Sequence, residues 1–508
     1  MFTYISDIDK STERKYFLSN IDLYIKLLKA FAKKNLIEYS TNNCFLSDKT
    51  IKRIQELTIF KKGNKLEVDL LKKILGKSFY DDFITAVNFE LDHKKKLGSL
   101  IDKLDPIKRN LIQKSSQESG KPKIVDFFCG AGGLSLGFTQ EGFQVDFAND
   151  YDRVCIETYR YNHPEIPENR VVLGDIRNVV KKIDKLSFEN IDVVVGGPPC
   201  QGFSTANQQR IIDDPRNELY KFFIKAVEII APKFVVMENV KGMLPYAKQV
   251  VEDYKNIKAI IGEQPYYYSV DYKILSSDEF GVAQKRQRLF FIAIRNDISD
   301  KCNINPTDIF NEIVNNNKAN KQFVLGDAIS YIKPLQAPRI KNLTEVDDEE
   351  TGKKVDINIF NGQENEYLRQ INQNREISYV FNHKARYVNE VNFQIYSLLK
   401  QGDDGTSQNV NHIMPYLHRN HIFKDKYYKL IENKPSRTIT AHLKMDCHSH
   451  IHPNQIRSLT PREAARIQSF PDDYVFMGSY LKTYMQIGNA VPPIMSRGIA
   501  KAIMKHIS

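Results

Sequence analysis

Residues 193–204 read VVVGGPPCQGFS and place a thiol directly after a stiff segment of glycines and prolines. The β-branched run at 191–195 predicts a strand buried on both faces. The two glycines allow a turn or a close approach to a ligand, and the two prolines hold the loop extended. A lone cysteine is usually a small buried hydrophobe. Here, however, Cys200 follows the carboxyl end of a strand, where open α/β sheets carry their chemistry, so it is a candidate nucleophile.

Strand-like and helix-like stretches alternate on both sides of this segment. The predicted strands are residues 123–128, 144–148, 171–173, 191–195, 234–237, 266–275 and 289–294. The predicted helices of the same region are residues 133–141, 153–162, 219–230 and 249–261. This alternation predicts an α/β fold with a mostly parallel sheet that helices cover on both faces.

The turn after the first predicted strand reads CGAGG at residues 129–133. Glycines between a buried strand and a helix permit the close backbone approach that a nucleotide-type cofactor needs. The spacing differs from the G-x-G-x-x-G of dinucleotide sites, because the third glycine directly follows the second. The turn therefore favours adenosine on an uncharged linker over NAD.

Charged side chains follow other predicted strands. Asp150 and Asp175 come after the second and third strands, where they could bind ribose hydroxyls and an exocyclic amine. Glu238 ends an apolar run, where a desolvated carboxyl group can donate a hydrogen bond. Arg286 and Arg288 alternate outward before the last strand, and arginine forks suit phosphate and base-edge acceptors. Each of these residues alone could be an ordinary turn, cap or surface residue, but their positions at successive strand ends favour a site.

Composition and charge are those of a globular protein without a membrane span. The 508 residues are 42% hydrophobic and 27% charged, as in soluble domains. No apolar run approaches the roughly 18 residues of a membrane helix, and the N-terminus does not resemble a signal peptide. The cysteines are scattered singly, which favours a reducing cytosol over a disulfide framework. The formal net charge of +11 lies mostly in residues 1–120 and is compatible with a polyanionic partner.

Changes in pattern predict a division of the chain into parts. These are a helical, basic accessory domain (1–120), a catalytic and cofactor-binding domain (121–297), a loop-rich inserted module (298–434) and a C-terminal segment that completes the catalytic domain (435–508). Residues 46–54 and 68–76 faintly resemble part of a helix-turn-helix, although a purely structural helical domain explains them as well. Thr460 predicts a helix start, with Pro461 at the first position and Glu463 at capping-box distance.

The chain resembles the DNA (cytosine-5)-methyltransferases in an ordered set of motifs. The motifs are residues 127–133, 197–204, 238–240, 284–288, 462–471 and 486–493. They extend over about three quarters of the chain and leave residues 1–120 outside the family core. The resemblance implies a Rossmann-like, S-adenosylmethionine-dependent methyltransferase sheet, with residues 298–434 as an inserted target-recognition domain.

The resemblance also implies the reaction and its catalytic residues. The enzyme would methylate carbon-5 of cytosine within a specific double-stranded DNA sequence, after flipping the base out of the duplex. Cys200 matches the nucleophile that adds to carbon-6, and Glu238 the acid that bonds the ring nitrogen and amino group. Arg288 would hold the ring-oxygen side, and Arg286 would support the site and the DNA backbone.

S-adenosylmethionine is the implied methyl donor. The residues implied to line it are Phe128, Gly130, Gly132, Gly133, Asp150, Tyr151, Asp175, Ile176, Pro198, Asn489 and Val491. Phe128 and Tyr151 would sandwich the adenine, while Asp150 would bind the ribose and Asp175 the adenine amine. The glycines would line the methionine part, and the two C-terminal residues would close the pocket.

The implied setting is a bacterial restriction-modification system. The expected partners are duplex DNA and a cognate restriction endonuclease, and the expected location is the bacterial cytosol near the nucleoid. Two other functions stay open: a tRNA cytosine-5 methyltransferase, since that branch shares the core, and a DNA-binding regulator that acts through residues 1–120.

Histidines crowd a short stretch near the C-terminus. The stretch holds His442, Cys447, His448, His450 and His452. Spacings of one or two residues suit a strand better than a tetrahedral zinc site, so we predict no metal.

Overall fold

The computed structural model describes residues 2–116, 120–199, 219–317, 321–357, 359–415 and 426–507. Cys200, the predicted nucleophile, lies outside these described residues together with the remainder of its motif, 201–204. Within the described ranges, helices that combine the length and the apolar character needed to cross a membrane are absent.

The N-terminal region is helical, as the spacing of its apolar residues predicts. Its helices are Ser11–Lys34 (α1), Asp48–Glu56 (α2), Lys65–Leu75 (α3), Lys77–Leu97 (α4) and Pro106–Ser116 (α5). Side chains cap three of them: Ser47 accepts from the Thr50 N–H before α2, Asn64 accepts from the Glu67 N–H before α3, and Asp105 accepts from the Ile107 N–H at the start of α5.

A buried ion network ties these helices together. Arg53 of α2 is 2% exposed and donates to Glu90 of α4 at 2.6 Å and to Asp105 at 2.8 Å. Residues 57–64 separate α2 from α3, a longer connection than the roughly three- or four-residue turn of a helix-turn-helix. Buried and fully engaged, Arg53 is unable to contact DNA from this helix.

A mixed sheet forms the centre of the molecule. Its strands are Lys123–Phe127 (β1), Gln144–Asp150 (β2), Val171–Leu173 (β3), Val193–Gly196 (β4), Phe234–Val240 (β5), Tyr268–Ser276 (β8) and Gln287–Arg295 (β9). The hairpin Ala259–Ile261 (β6) and Gln264–Tyr266 (β7) forms a separate two-stranded sheet. In the described residues the sheet order is β3-β2-β1-β4-β5-β9-β8. β1 to β5 pair in parallel, and β9 and β8 pair antiparallel at one edge. The predicted α/β fold is confirmed.

Helices connect the parallel strands. They are Gly133–Gln140 (α6), Arg153–Asn162 (α7), Ile176–Val180 (α8) and Leu219–Ile230 (α9), and Ala247–Lys255 (α10) follows β5 and leads to β6. The predicted helix 249–261 was wrong at its end, because α10 stops at Lys255 and β6 follows. The β-branched pair Ile260 and Ile261 suits a strand, and Gly262, with φ of +62°, makes the turn to β7.

The C-terminal half adds further helices and two short strands that pair antiparallel. These elements are Asn296–Cys302 (α11), Pro306–Asn317 (α12), Leu325–Ile329 (α13), Gly352–Asp356 (β10), Glu366–Ile371 (α14), Val380–Lys384 (β11), Glu390–Leu398 (α15), Pro461–Ile467 (α16), Tyr480–Asn489 (α17) and Pro493–Met504 (α18). The predicted capping box of α16 is confirmed, since Thr460 accepts from the Glu463 N–H and Glu463 bonds back. α12, α13 and α14 share one apolar core with the sheet and α18. The division into domains at 120, 297 and 434 stays a prediction.

Candidate active site and cofactor site

The turn after β1 adopts backbone conformations that favour glycine. Gly130 and Gly132 have φ angles of +54° and +85°, and Phe128 before them has +56°. This left-handed region is strained for a residue with a Cβ, so the turn needs its glycines and holds Phe128 under constraint. The Cys129 N–H donates to the Asn149 carbonyl at 3.0 Å, which joins the turn to the end of β2.

The C-terminal segment closes directly onto this turn. A Cβ atom placed on Gly133 would lie 2.3 Å from the Val491 carbonyl oxygen and 3.1 Å from the Ala490 Cβ. Val491 is buried, whereas Asn489 is exposed. Chain segments more than 350 residues apart therefore meet at one glycine, which is why no larger residue fits there.

The Asp150 carboxylate lies against the glycine turn. It accepts from the Gly130 N–H at 2.9 Å and from the Asp152 N–H at 2.7 Å. Burial raises the pKa of Asp150 to about 6, so the group is mostly ionised at neutral pH and can accept further hydrogen bonds. The Tyr151 side chain beside it is 76% exposed.

Asp175 begins α8 at the end of β3. Its carboxylate accepts from the Arg177 N–H at 2.9 Å and pairs with the Arg177 guanidinium at 2.6 Å. The hydrogen bond from the Arg177 side chain lowers the pKa of Asp175. A ligand amine would therefore share this carboxylate with Arg177, while Ile176 next to it is buried.

Glu238 and Arg288 meet at the ends of β5 and β9. The Arg288 Nε lies 2.9 Å from the Glu238 carboxylate, and both side chains are largely withdrawn from water. A Cβ atom placed on Gly197 would lie 3.1 Å from the Glu238 Oε2, so the acid covers the glycines after β4. Three motifs that are separate in sequence are thus brought to one point, immediately before Cys200.

Burial of the arginines gives this point its electrostatic character. Burial lowers the pKa of Arg288, which Glu238 partly offsets. Arg286 is 1% exposed, and its pKa is well below the usual range because of burial and the neighbouring Arg288. A desolvated cluster with two guanidinium groups against one carboxylate favours an anionic or electron-rich ligand.

The geometry of this site agrees with the known proteins that the chain matches. The family model of the C-5 cytosine-specific DNA methylases matches residues 122–505, well over half of the chain. The chain belongs to this family. It is therefore an enzyme that methylates carbon-5 of cytosine in DNA.

Individual relatives agree with the assignment. The type II methyltransferase M.DdeI of Desulfomicrobium norvegicum is 31% identical over 404 residues, which cover 75% of this chain and 88% of that protein. The type II methyltransferase M1.HphI of Haemophilus parahaemolyticus is 32% identical over 392 residues, which cover 75% of this chain and 86% of that protein. An Escherichia coli prophage protein described as a DNA modification methyltransferase is 23% identical with a TM-score of 0.54, over 76% of this chain and 99% of that one, which supports the fold.

Several supporting residues of this methyltransferase were missed by the sequence reasoning. The Asn239 amide donates to the Pro198 carbonyl at 3.0 Å and fixes the path of the chain toward Cys200. Asn239 follows Glu238 directly, so a polar residue next to the acid was an available signal. The Tyr474 hydroxyl donates to the Ala131 carbonyl in the glycine turn, a contact across 343 residues for which the sequence holds no local signal.

Arg286 joins the start of β9 to the C-terminal segment at this site. Its Nη1 donates to the Ile439 carbonyl at 2.8 Å. Gln284 makes a second link, because its amide bonds Gln468 at 2.7 Å and accepts from the Ile439 N–H at 2.6 Å. The described structure thus gives Arg286 a supporting position and leaves Arg288 as the guanidinium beside Glu238.

Asp126 of β1 is an unusual group behind the cofactor turn. It is 1% exposed, and the donors that face its carboxyl group are the hydroxyl and the backbone N–H of Ser135. Burial raises the pKa of Asp126 to about 8, so the carboxyl group is mostly neutral at pH 7. It adds no net charge beneath the turn.

The clustered histidines have structural partners. His448 stacks on Tyr427 at 4.4 Å between ring centroids and bonds the Tyr396 hydroxyl at 2.8 Å. The His452 Nδ1 accepts from the backbone N–H groups of Asn454 and Gln455. Across the part of the chain that the structure describes, groups of three or more His, Cys, Asp or Glu side chains arranged to hold a metal are absent.

Proposed function

We propose that this methyltransferase acts on cytosine within one specific sequence of double-stranded DNA, through a transient covalent bond between Cys200 and a base flipped out of the duplex. The observation that supports this most is the desolvated Glu238–Arg288 pair, which lies against Gly197, three residues before Cys200. Carbon-5 of cytosine is a poor nucleophile, so the ring must first be activated by a thiolate and by groups that stabilise charge on it.

In this mechanism, the chain's own residues perform the activation. The Cys200 thiolate adds to carbon-6, and the displaced electron pair makes carbon-5 nucleophilic. Glu238 shares a proton with the ring nitrogen and accepts from the amino group, and Arg288 donates to the ring oxygen, so both stabilise the charge that develops. Water takes the carbon-5 proton, and the electron pair of that C–H bond re-forms the double bond between carbon-5 and carbon-6 as the sulfur departs as the free thiolate.

The cofactor turn fits S-adenosylmethionine. When bound, this cofactor supplies an electrophilic methyl group, and carbon-5 is the atom that takes it up. The fit rests on the glycine turn, where a Cβ on Gly130 would meet no protein atom within 4 Å, and on the Asp150 carboxylate beside it. In the proposal, Phe128 and Tyr151 hold the adenine and Asp150 the ribose. The remaining proposed contacts are Asp175, Ile176, Pro198, Gly130, Gly132, Asn489 and Val491.

DNA has to be recognised and opened for this reaction. Carbon-6 is hidden in a duplex, so base flipping costs a few kcal/mol, which protein contacts must offset. We assign sequence reading to residues 298–434, and phosphate contacts by the basic chain should make binding fall steeply with salt. The relatives carry the names of type II methyltransferases, which supports a protective role beside a cognate restriction endonuclease.

Methyl transfer from tritiated S-adenosylmethionine tests the proposal. We expect the wild type to label duplex DNA and not tRNA, and Cys200→Ser to lose at least about a thousandfold in rate, as when other catalytic nucleophiles are removed. Cys44→Ser is the matched control, since Cys44 is an exposed free thiol of the N-terminal region. Labelling of tRNA in place of DNA, or full activity of Cys200→Ser, would contradict the proposal. Bisulfite sequencing of DNA from expressing cells then identifies the target sequence.

A further inference from the structure

Helix α1 lies outside the family match, which begins at residue 122, yet it contacts two parts of the enzyme that matter for function. It has 24 residues and is therefore about 36 Å long. Its first turns contact the start of α7, which follows the Asp150 segment, and its C-terminal half contacts β10 and the segment before it, within residues 298–434.

The N-terminal end of α1 contacts Arg153, the first residue of α7. The Arg153 guanidinium lies 4.8 Å from the centre of the Tyr16 ring, and its Nη1 lies 3.9 Å from the Glu13 carboxylate. Arg153 directly follows 150–152, the segment whose Asp150 bonds the glycine turn. The start of α1 thus supports one side of the predicted adenosine site.

The C-terminal half of α1, from Asp22 onward, pairs with the segment around β10. Lys26 lies 3.4 Å from Asp347, and Lys33 lies 3.0 Å from Glu349. A third pair runs in the opposite sense, with Asp22 of α1 3.7 Å from Lys354 of β10. Charges of both signs therefore match across this contact, which favours one orientation of β10 and the segment before it against the helix.

Apolar packing joins the same parts into one core. Buried side chains of the N-terminal helices form a single cluster with residues from α7, β10, β11 and the segment before α17. The members from outside the N-terminal region are Tyr161, Val355, Ile357, Phe381, Val475 and Met477. A cluster shared in this way resists independent movement of the N-terminal helices.

We propose that α1 is a strut that positions the start of α7, which follows the Asp150 segment, with its first turns and the paired strands β10 and β11 with its C-terminal half. The inference rests on the proposed function, in which residues 150–151 bind adenosine and 298–434 read DNA. The N-terminal helices then serve the methyltransferase itself by fixing the distance between its two binding regions. Tyr16 and Lys26 are positioning residues, each acting through the segment it contacts.

Substitutions at the two contacts of α1 test the strut in the full-length protein. Tyr16→Leu removes the ring under Arg153, and Lys26→Met removes the pair with Asp347. Lys29→Met is the matched control, because Lys29 lies on the same helix and pairs at 3.2 Å with Asp82 inside the N-terminal region. Lys26→Met also loses the pair with Asp22 on the same helix, and Lys29→Met also loses a contact with the Tyr39 ring, so the two lysine variants each lose two partly exposed contacts and small losses of folding stability are expected for all three variants.

The expected result is that the two variants each change a different Michaelis constant. Tyr16→Leu should raise KM for S-adenosylmethionine about threefold and leave KM for target duplex unchanged, since a cation–π contact of this kind is worth a modest amount. Lys26→Met should raise KM for duplex about twofold to threefold and leave the other constant unchanged. Lys29→Met should change neither. Equal changes in all three variants, or no change in any, would overturn the strut.

Hydrogen exchange provides a readout that does not depend on catalysis. Amides of residues 150–157 should exchange faster in Tyr16→Leu, and those of 352–356 faster in Lys26→Met, each relative to Lys29→Met. Unchanged exchange at both places overturns the strut whether or not the enzyme is active. A wild type that transfers no methyl group to DNA would instead overturn the proposed function.

Discussion

The turn after β1 presents backbone groups, whereas the neighbouring ends of β5 and β9 present charged side chains. On the first side, glycines in left-handed conformations and a carboxylate bonded to N–H groups form the turn. On the second side, Glu238 and Arg288 form a buried pair with Arg286 behind it. Backbone groups suit the binding of a cofactor of fixed shape, and charged side chains suit a reaction in which charge develops. The two sides should therefore respond differently to substitution.

The largest effect should come from the charged side. Glu238→Gln keeps the shape of the side chain but cannot share a proton with the ring nitrogen, so we expect kcat to fall about 10²- to 10³-fold, as for other lost stabilising groups. Affinity for S-adenosylmethionine should stay within about twofold, because the cofactor side is built from other residues. Initial rates and calorimetric binding measure the two quantities.

Glu141→Gln is the control for this variant. Glu141 also accepts from an arginine Nε, that of Arg497, but at the far end of α6. It should keep wild-type kcat. A Glu238→Gln enzyme that is folded and fully active, or one that loses cofactor affinity instead of kcat, would break the distinction between the two sides.

The backbone side should respond most strongly at Gly133. Gly133→Ala forces a Cβ to 2.3 Å from the Val491 carbonyl, so we expect a loss of about 1–3 kcal/mol in the free energy of unfolding. Affinity for S-adenosylmethionine should fall at least about tenfold, since the turn must shift. Thermal unfolding with and without the cofactor measures both effects.

Gly174→Ala sharpens this test. A Cβ on Gly174 would meet its nearest atom at an ordinary 3.5 Å, and its φ lies outside the left-handed region. We expect a change within about 0.5 kcal/mol, as for an unstrained surface substitution. Equal losses for the two variants would show that the close approach at Gly133 is not what the turn requires.

The smallest effect concerns Asp126 and depends on pH. Because burial raises the pKa of Asp126 to about 8, the folded state holds a proton that the unfolded state has lost above about pH 4. The stabilisation from this proton is complete below the unfolded pKa and is lost as pH rises toward 8. Between pH 6 and 8 the wild type should lose about 1 kcal/mol of unfolding free energy per pH unit relative to Asp126→Asn. Parallel stability–pH curves for the two proteins would contradict the assignment.

The sequence predicted the fold and the strand-end residues because both leave local signals. Alternating apolar runs indicated the sheet, and the motifs around Gly130, Asp150 and Glu238 lie at strand ends as expected. The pairing of Asp175 with Arg177 could not be predicted, since a carboxylate two residues before an arginine has many alternatives. The contacts of Tyr474 with Ala131 and of Tyr16 with Arg153 could not be predicted either, because they join distant segments whose packing depends on the whole fold.

The covalent step at Cys200 is the centre of this account. Duplex DNA that carries 5-fluorocytosine in the target sequence is incubated with the enzyme and S-adenosylmethionine, since fluorine in place of the departing proton stops release of the base. We expect a denaturant-stable protein–DNA adduct that peptide mass spectrometry locates at Cys200, and none with Cys200→Ser. An active enzyme that forms no such adduct, or one linked through another residue, would contradict it.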